Sequence, residues 1–139
     1  MPEPAVSQPL SGRLAVKVLI VDDEDLTRLL LRHMLQRVRV EQMAVFNAED
    51  GEQALRIAQE ERPDLILLDL LLPKMDGTEV CRRLRDIPDY RPHIIMLTAR
   101  GQLNDREQAR ALGVQRFMTK PFSPARLAAE LDALWAGPR

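Results

Sequence analysis

Four short runs along the chain are apolar or nearly so: residues 16–21, 43–46, 65–68 and 94–97. Runs of this length without polar alternation suit strands covered on both faces, as in a parallel sheet. Residues 115–119 form a weaker fifth candidate. Helical periods fill the gaps. Leu26, Leu30, Met34 and Val38 recur every four residues, with Leu31 and Leu35 beside them, which predicts one apolar stripe. Ala54, Leu55 and Ala58 mark a second helix, opened by Asp50 and Gln53 as a capping box. Val80, Cys81 and Leu84 mark a third. Asn104 and Glu107 cap a fourth, whose Asp105, Arg106, Gln108 and Arg110 leave a thin apolar face. Ser123 as N-cap and Pro124 at the first helical position open a fifth, with Leu127, Ala128, Leu131, Leu134 and Trp135 facing inward. Strand–helix alternation repeated five times predicts a doubly wound α/β domain.

Composition agrees with one such domain. The chain has 139 residues, 45% of them hydrophobic, enough for a single core. Its formal net charge of −1 shows no excess that would draw it to nucleic acid or a membrane surface. Cys81 is the one cysteine, so a disulfide scaffold is excluded. The apolar runs are too short to span a bilayer. The first residues lack a secretory signal pattern, which makes the cytosol the expected compartment. Residues 1–14, with three of the ten prolines, read as a flexible tail or linker. The domain then covers residues 15–136, and residues 137–139 form a short tail after a helix-ending Gly-Pro.

In doubly wound sheets the chemistry lies beyond the carboxyl ends of the strands. There stand Asp22, Asp23, Glu24 and Asp25, then Asn47, then Asp69, then Thr98, and after the fifth candidate Lys120-Pro121. An Asp-Asp pair after an apolar run is often just a solvated loop. A third carboxylate and a lysine at other strand ends change that reading. Carboxylates crowded in an apolar scaffold repel unless a cation joins them, and a hard divalent ion such as Mg²⁺ suits few protein ligands plus water and phosphate. Asp23 and Asp69 are the expected direct ligands, with Asp22 acting through water. Asp69 beside such an ion can also attack a phosphoryl group and form an acyl phosphate. Thr98 would then bond a phosphoryl oxygen and Lys120 would neutralise its charge. Cys81, Trp135 and the methionines read as packing, and Asp76-Gly77 as a turn.

The segments Val18-Leu19-Ile20-Val21-Asp22-Asp23-Glu24, Leu68-Asp69-x-x-x-Pro73-x-x-Asp76-Gly77, Leu97-Thr98-Ala99 and Thr119-Lys120-Pro121-Phe122 carry a resemblance as well. Together, and in this order, they resemble the receiver domain of bacterial two-component response regulators. The resemblance implies a flavodoxin-like five-stranded parallel sheet in order 2-1-3-4-5. It implies that a histidine kinase or histidine phosphotransfer protein phosphorylates Asp69. It assigns Mg²⁺, with Mn²⁺ as a substitute, to Asp22, Asp23, Asp69 and the backbone carbonyl of Leu71. It places phosphate against Thr98 and Lys120, makes Thr98 and Phe117 a switch pair, and implies a cis Lys120-Pro121 bond. The output surface is then the face of the fourth helix, fifth strand and fifth helix. That makes the chain a regulatory domain rather than an enzyme, with Mg-dependent self-phosphorylation and slow self-dephosphorylation.

A rival reading is enzymatic. Asp23-Glu24-Asp25-Leu26-Thr27 spells D-x-D-x-T, which resembles the nucleophile loop of haloacid-dehalogenase-type phosphohydrolases, with Asp23 as nucleophile and Asp25 as general acid–base. The missing metal-binding acids after the lysine, the short chain and the unexplained D-x-x-x-P-x-x-D-G stretch count against it. A third class, an interaction module that never handles phosphate, finds no degenerate position to support it. On the output face the charges differ from the DNA-binding branch of the family: Arg116 and Glu130 are exchanged, and Arg106 and Arg126 stand where opposite charges are usual. A monomer or weak dimer is therefore expected, acting on a downstream protein or output domain and not on nucleic acid directly. An Arg116–Glu130 pair can form within or between chains. A stand-alone receiver and a piece of a larger regulator both fit.

Overall fold

Five parallel strands lie side by side: β1 (Ala15–Val21), β2 (Gln42–Ala48), β3 (Leu65–Asp69), β4 (His93–Thr98) and β5 (Arg116–Thr119). Their order across the sheet is β2-β1-β3-β4-β5. The computed structural model describes residues 15–37, 42–98, 103–114, 116–121 and 123–136, excepting the side chains of 98, 103–105, 135 and 136. The proposed tails at 1–14 and 137–139 lie outside the described residues, as do Val38, Ala99, Arg100, Gln115 and Phe122.

Successive side chains on a strand point to opposite faces, and each face here builds its own core. Leu19, Val21, Ile66, Leu68 and Met96 pack with Ala54 and Ala58 of α2 (Gly51–Glu61), Val80, Cys81 and Leu84 of α3 (Gly77–Arg85), and Ala109 of α4 (Leu103–Ala111). Val18, Ile20, Leu67, Ile95, Leu97 and Met118 pack with Leu31, Met34 and Leu35 of α1 (Asp25–Leu35) and Leu127, Leu131 and Leu134 of α5 (Pro124–Ala136). The central β3 is buried at every position, as its unbroken apolar run requires. β2 at the sheet edge is only half covered.

The helix starts follow local chemistry where a cap is clear. Ser123 Oγ accepts from the Arg126 N–H at 3.1 Å, and Pro124 opens α5. Asp50 Oδ1 accepts from the Gln53 N–H at 2.9 Å, but the Gln53 side chain reaches back to the Glu49 N–H rather than to that of Asp50. The predicted box is thus displaced by one residue. α4 begins at Leu103, so Asn104 lies inside its first turn instead of capping it.

Two predicted helix faces need correction. In α1 the buried residues are Leu31, Met34 and Leu35, whereas Leu26 and Leu30 are exposed. Three consecutive leucines, 29 to 31, offer two apolar faces. The choice falls to Arg28, whose inward side chain bonds the Asp22 carbonyl at 2.6 Å and turns Leu29 and Leu30 outward. In α5, Leu127, Leu131 and Leu134 are buried as expected but Ala128 is exposed, and the Trp135 side chain lies outside the described residues.

Candidate functional site

The parallel register brings the ends of β1, β3, β4 and β5 to one edge. Val21 lies opposite Leu68, Asp69 opposite Leu97, and Thr98 opposite Thr119. Asp22 and Lys120 are each the next residue after their strand. Separations of 98 and 51 residues in sequence, from Lys120 to Asp22 and to Asp69, thereby collapse into hydrogen-bond distance.

Lys120 sits at the centre. Its Nζ donates to Asp22 Oδ2 at 2.7 Å and to Asp69 Oδ2 at 3.0 Å, and it lies 3.9 Å from Glu24 Oε1. Asp22 is wholly buried and Asp69 nearly so. The other oxygen of each carboxylate is tied to backbone: the Glu24 N–H donates to Asp22 Oδ1 at 2.9 Å, and the Leu71 N–H to Asp69 Oδ1 at 3.0 Å. Desolvation pushes the Asp69 carboxyl above its ordinary range. The hydrogen bonds from Lys120 and Leu71 oppose that push, and the Asp22 charge adds to it. Burial disfavours the Lys120 charge, but its bonds to the two carboxylates outweigh burial and hold the ammonium above its usual value. The Lys120-Pro121 peptide is cis.

Carboxylate oxygens of Asp22, Asp23 and Glu24 also lie within 4.8 Å of one another. Three carboxylates, those of Asp22, Glu24 and Asp69, thus lie within 3.9 Å of the ammonium, Asp23 adds a fourth beside Asp22 and Glu24, and every donor is a hard oxygen. That set fits a small divalent cation such as Mg²⁺. Asp23 and Glu24 are exposed, which leaves the cluster open to solvent. Asp69 is not part of this trio and is joined to it through Lys120.

Residues around the site set the loop that carries Asp69. The Gly77 N–H donates to the Leu70 carbonyl at 2.7 Å, and the Leu70 N–H to the Leu97 carbonyl at 2.8 Å. Asp76 caps α3: its Oδ1 accepts from the Thr78 hydroxyl at 2.6 Å and from the Glu79 N–H at 2.9 Å. Those bonds, the Thr78 one foremost, hold the Asp76 carboxyl below the usual range. A depressed folded-state value means stability that is present above the unfolded value and lost as pH falls through the folded one. Asp76→Ala is expected to lower stability by about 1 kcal/mol at neutral pH. The gap in urea midpoints between variant and wild type should close on acidification below the ordinary carboxylate range; a gap that persists there would refute the cap.

Two residues escaped the sequence reading as site members. Glu24 stands among the acids at the strand end with no ligand role assigned to it, yet it belongs to the acidic trio. Arg28 clamps the acidic loop through the Asp22 carbonyl, with further contacts to Asp25 and, at 3.6 Å, Glu49. The sequence shows an Asp25–Arg28 pair three residues apart on a helix, which does not say that the guanidinium turns toward the Asp22 carbonyl. Asp25 itself is exposed and paired with Arg28. Thr98 ends β4 at the same edge; its side chain lies outside the described residues. Phe117 is half-buried against the α2–α4 core. Leu71 presents its N–H to Asp69, with its side chain exposed. Cys81 is packed, and burial pushes its thiol up to about 12, so it is inert. No helix among the described residues is long and apolar enough to cross a membrane.

Comparison with known proteins meets this geometry. Residues 18–132 match the family model for the response regulator receiver domain. The alkaline phosphatase synthesis transcriptional regulatory protein PhoP of Bacillus subtilis is 45% identical over 118 residues, 85% of this chain and 48% of that protein. The phosphate regulon transcriptional regulatory protein PhoB of Rhizobium meliloti is 40% identical over 119 residues, 85% of this chain and 51% of that protein. This chain thus spans about half the length of the curated relatives it matches. Among solved structures, a putative response regulator from Chloroflexus aurantiacus superposes with a TM-score of 0.78 at 32% identity, covering 88% of this chain and 98% of the other. The chemotaxis protein CheY4 of Vibrio cholerae gives 0.76 at 34% identity, covering 85% and 97%. The phosphohydrolase alternative is overturned: the relatives are response regulators, and the D-x-D-x-T spelling is coincidental. With five parallel strands in the order 2-1-3-4-5 and a family match across most of its length, the chain belongs to the receiver domains of two-component response regulators.

Proposed function

We propose that Asp69 is the phosphoacceptor of this receiver. The observation that carries the reading is a nearly buried carboxylate at the end of the central strand, bonded to an ammonium that also holds Asp22. The donor is a phosphohistidine of a histidine kinase or histidine phosphotransfer protein. A carboxylate oxygen of Asp69 attacks phosphorus, the P–N bond breaks, and its electron pair returns to the imidazole. The product is an acyl phosphate on Asp69.

Such transfers are governed by positioning and charge. The Leu71 N–H and the Lys120 ammonium orient the Asp69 carboxylate, one at each oxygen. Lys120 then stays paired with the charge of the phosphoryl group. Asp22, Asp23, Asp69 and the backbone carbonyl of Leu71 would hold Mg²⁺, or Mn²⁺ in its place, which when bound supplies charge neutralisation at the phosphoryl oxygens. Thr98 bonds one of those oxygens, and Phe117 turns inward as Thr98 moves, altering the α4-β5-α5 face. That face acts on a downstream protein or output domain in the cytoplasm and does not bind nucleic acid directly. Within the chain, Arg116 pairs with Glu130 at 3.0 Å, which supports a monomer or weak dimer, since these charges are engaged internally. Self-phosphorylation from small donors and slow self-dephosphorylation complete the cycle.

Intact mass after incubation with acetyl phosphate tests the reading. The wild type should gain one phosphoryl group only when Mg²⁺ is present, and Asp69→Ala should gain none. A gain of equal size in Asp69→Ala, or none in the wild type, sinks it.

A further inference from the structure

Alternation along β5 sends Arg116 and Met118 toward α5, where Arg116 meets Glu130 and Met118 joins the α1–α5 core. Phe117 and Thr119 point the other way, toward α4. There two arginines one helical turn apart converge on the same ring. The guanidinium carbon of Arg110 lies 5.4 Å from the Phe117 centroid and that of Arg106 lies 5.9 Å from it. Both fall within the range of cation–π attraction. Arg106 also donates from Nη2 to Thr119 Oγ1 at 2.7 Å, at the residue just before Lys120. Among the described side chains of α4, Ala109 is the one that is buried. Beside the packing of Ala109, the arginine contacts tie α4 to β5.

From this geometry we infer that Arg106 and Arg110 are positioning residues that hold the Phe117 ring toward α4 and set the resting bias of the switch. The inference rests on the phosphoacceptor reading and adds a regulatory device to it. A ring that turns into the core leaves both guanidinium groups, so each contact favours the resting state. A phosphodonor reacts in proportion to the fraction of molecules already in the receptive conformation. An exposed cation–π contact alters such an equilibrium by roughly two- to fivefold.

Arg110 gives the cleaner test, because Arg106 also holds Thr119. The initial rate of acetyl phosphate uptake at saturating Mg²⁺, read by intact mass, should rise about two- to fivefold in Arg110→Gln. Arg110→Lys, which keeps a cation over the ring, should stay near the wild-type rate. In a Phe117→Leu background Arg110→Gln should change nothing, because the ring it acts through is gone. An unchanged or slower rate in Arg110→Gln, or an equal gain in the Phe117→Leu background, overturns the inference. A second readout separates it from the phosphoacceptor reading. In unphosphorylated protein the Arg110 side-chain protons should carry a ring-current shift that Phe117→Leu removes. If the wild type takes up no phosphate, the acceptor reading falls while this shift still judges the clamp; no shift in the wild type overturns the clamp directly.

Discussion

Lys120→Met is expected to destabilise the metal-free protein by about 3 kcal/mol, the low end for removing one partner of a buried ion pair. The side chain is nearly isosteric, so little packing is lost. What remains is Asp22, wholly buried, facing Asp69 with no ammonium between them. Urea denaturation reads the change as a shift in midpoint at constant slope. Two further arms give the interpretation its content. Added Mg²⁺ should stabilise the variant more than the wild type, because a cation bound only by the native state can replace the lost charge. Asp69→Asn should shrink the cost of Lys120→Met, since one of the two stranded carboxylates is then neutral. A midpoint unmoved by Lys120→Met, or a cost that Asp69→Asn leaves intact, would show that the ammonium is not what reconciles the two acids.

Gly77→Ala should be the most damaging single-methyl change in the loop after Asp69. A Cβ there would stand 2.8 Å from the Asp69 carbonyl oxygen and 2.8 Å from Leu70 Cα. Both are backbone atoms, and no rotamer change relieves them. The loop must move away from α3, and the 2.7 Å bond from the Gly77 N–H to the Leu70 carbonyl goes with it. We expect a loss of about 2–3 kcal/mol, typical of severe overpacking, together with slowed phosphoryl uptake at Asp69. Gly51→Ala is the comparison. Its added methyl meets Val80 Cγ2 at 2.9 Å and the Cβ and Sδ of Met75 at 3.0 and 3.1 Å, all side-chain atoms, and the thioether can swing aside. That variant should be clearly less harmful. Equal stability of the two variants would refute the backbone-clash account.

The two carboxylates could be placed beforehand because each immediately follows an apolar run, and the lysine because it follows the weaker fifth strand candidate. A strand that must be covered on both faces delivers the next polar residue to the sheet edge. Arg28 could not be placed in that way. Nothing local says whether its guanidinium faces solvent or the Asp22 carbonyl 2.6 Å away, and the orientation of α1 depends on the answer. The same ambiguity misassigned Leu26 and Leu30, and similarly Ala128 on α5. Amphipathic period locates a helix reliably, but a run such as Leu29-Leu30-Leu31 is compatible with more than one rotation about its axis.

The chain's own pattern therefore determined the five strands, their helical crossovers, the parallel sheet and the identity of the acids at its carboxyl edge. Each of these follows from short-range constraints: period, caps and the burial of uninterrupted apolar runs. Tertiary structure alone decided that Lys120 binds Asp22 and Asp69 together and that Glu24 completes the acidic trio. It alone decided that Gly77 leaves no room beside Asp69, and that Arg106 and Arg110 meet over Phe117. Those are distances between segments remote in sequence. They are set by how two cores pack against opposite faces of one sheet, and packing is a property that no local window of residues carries.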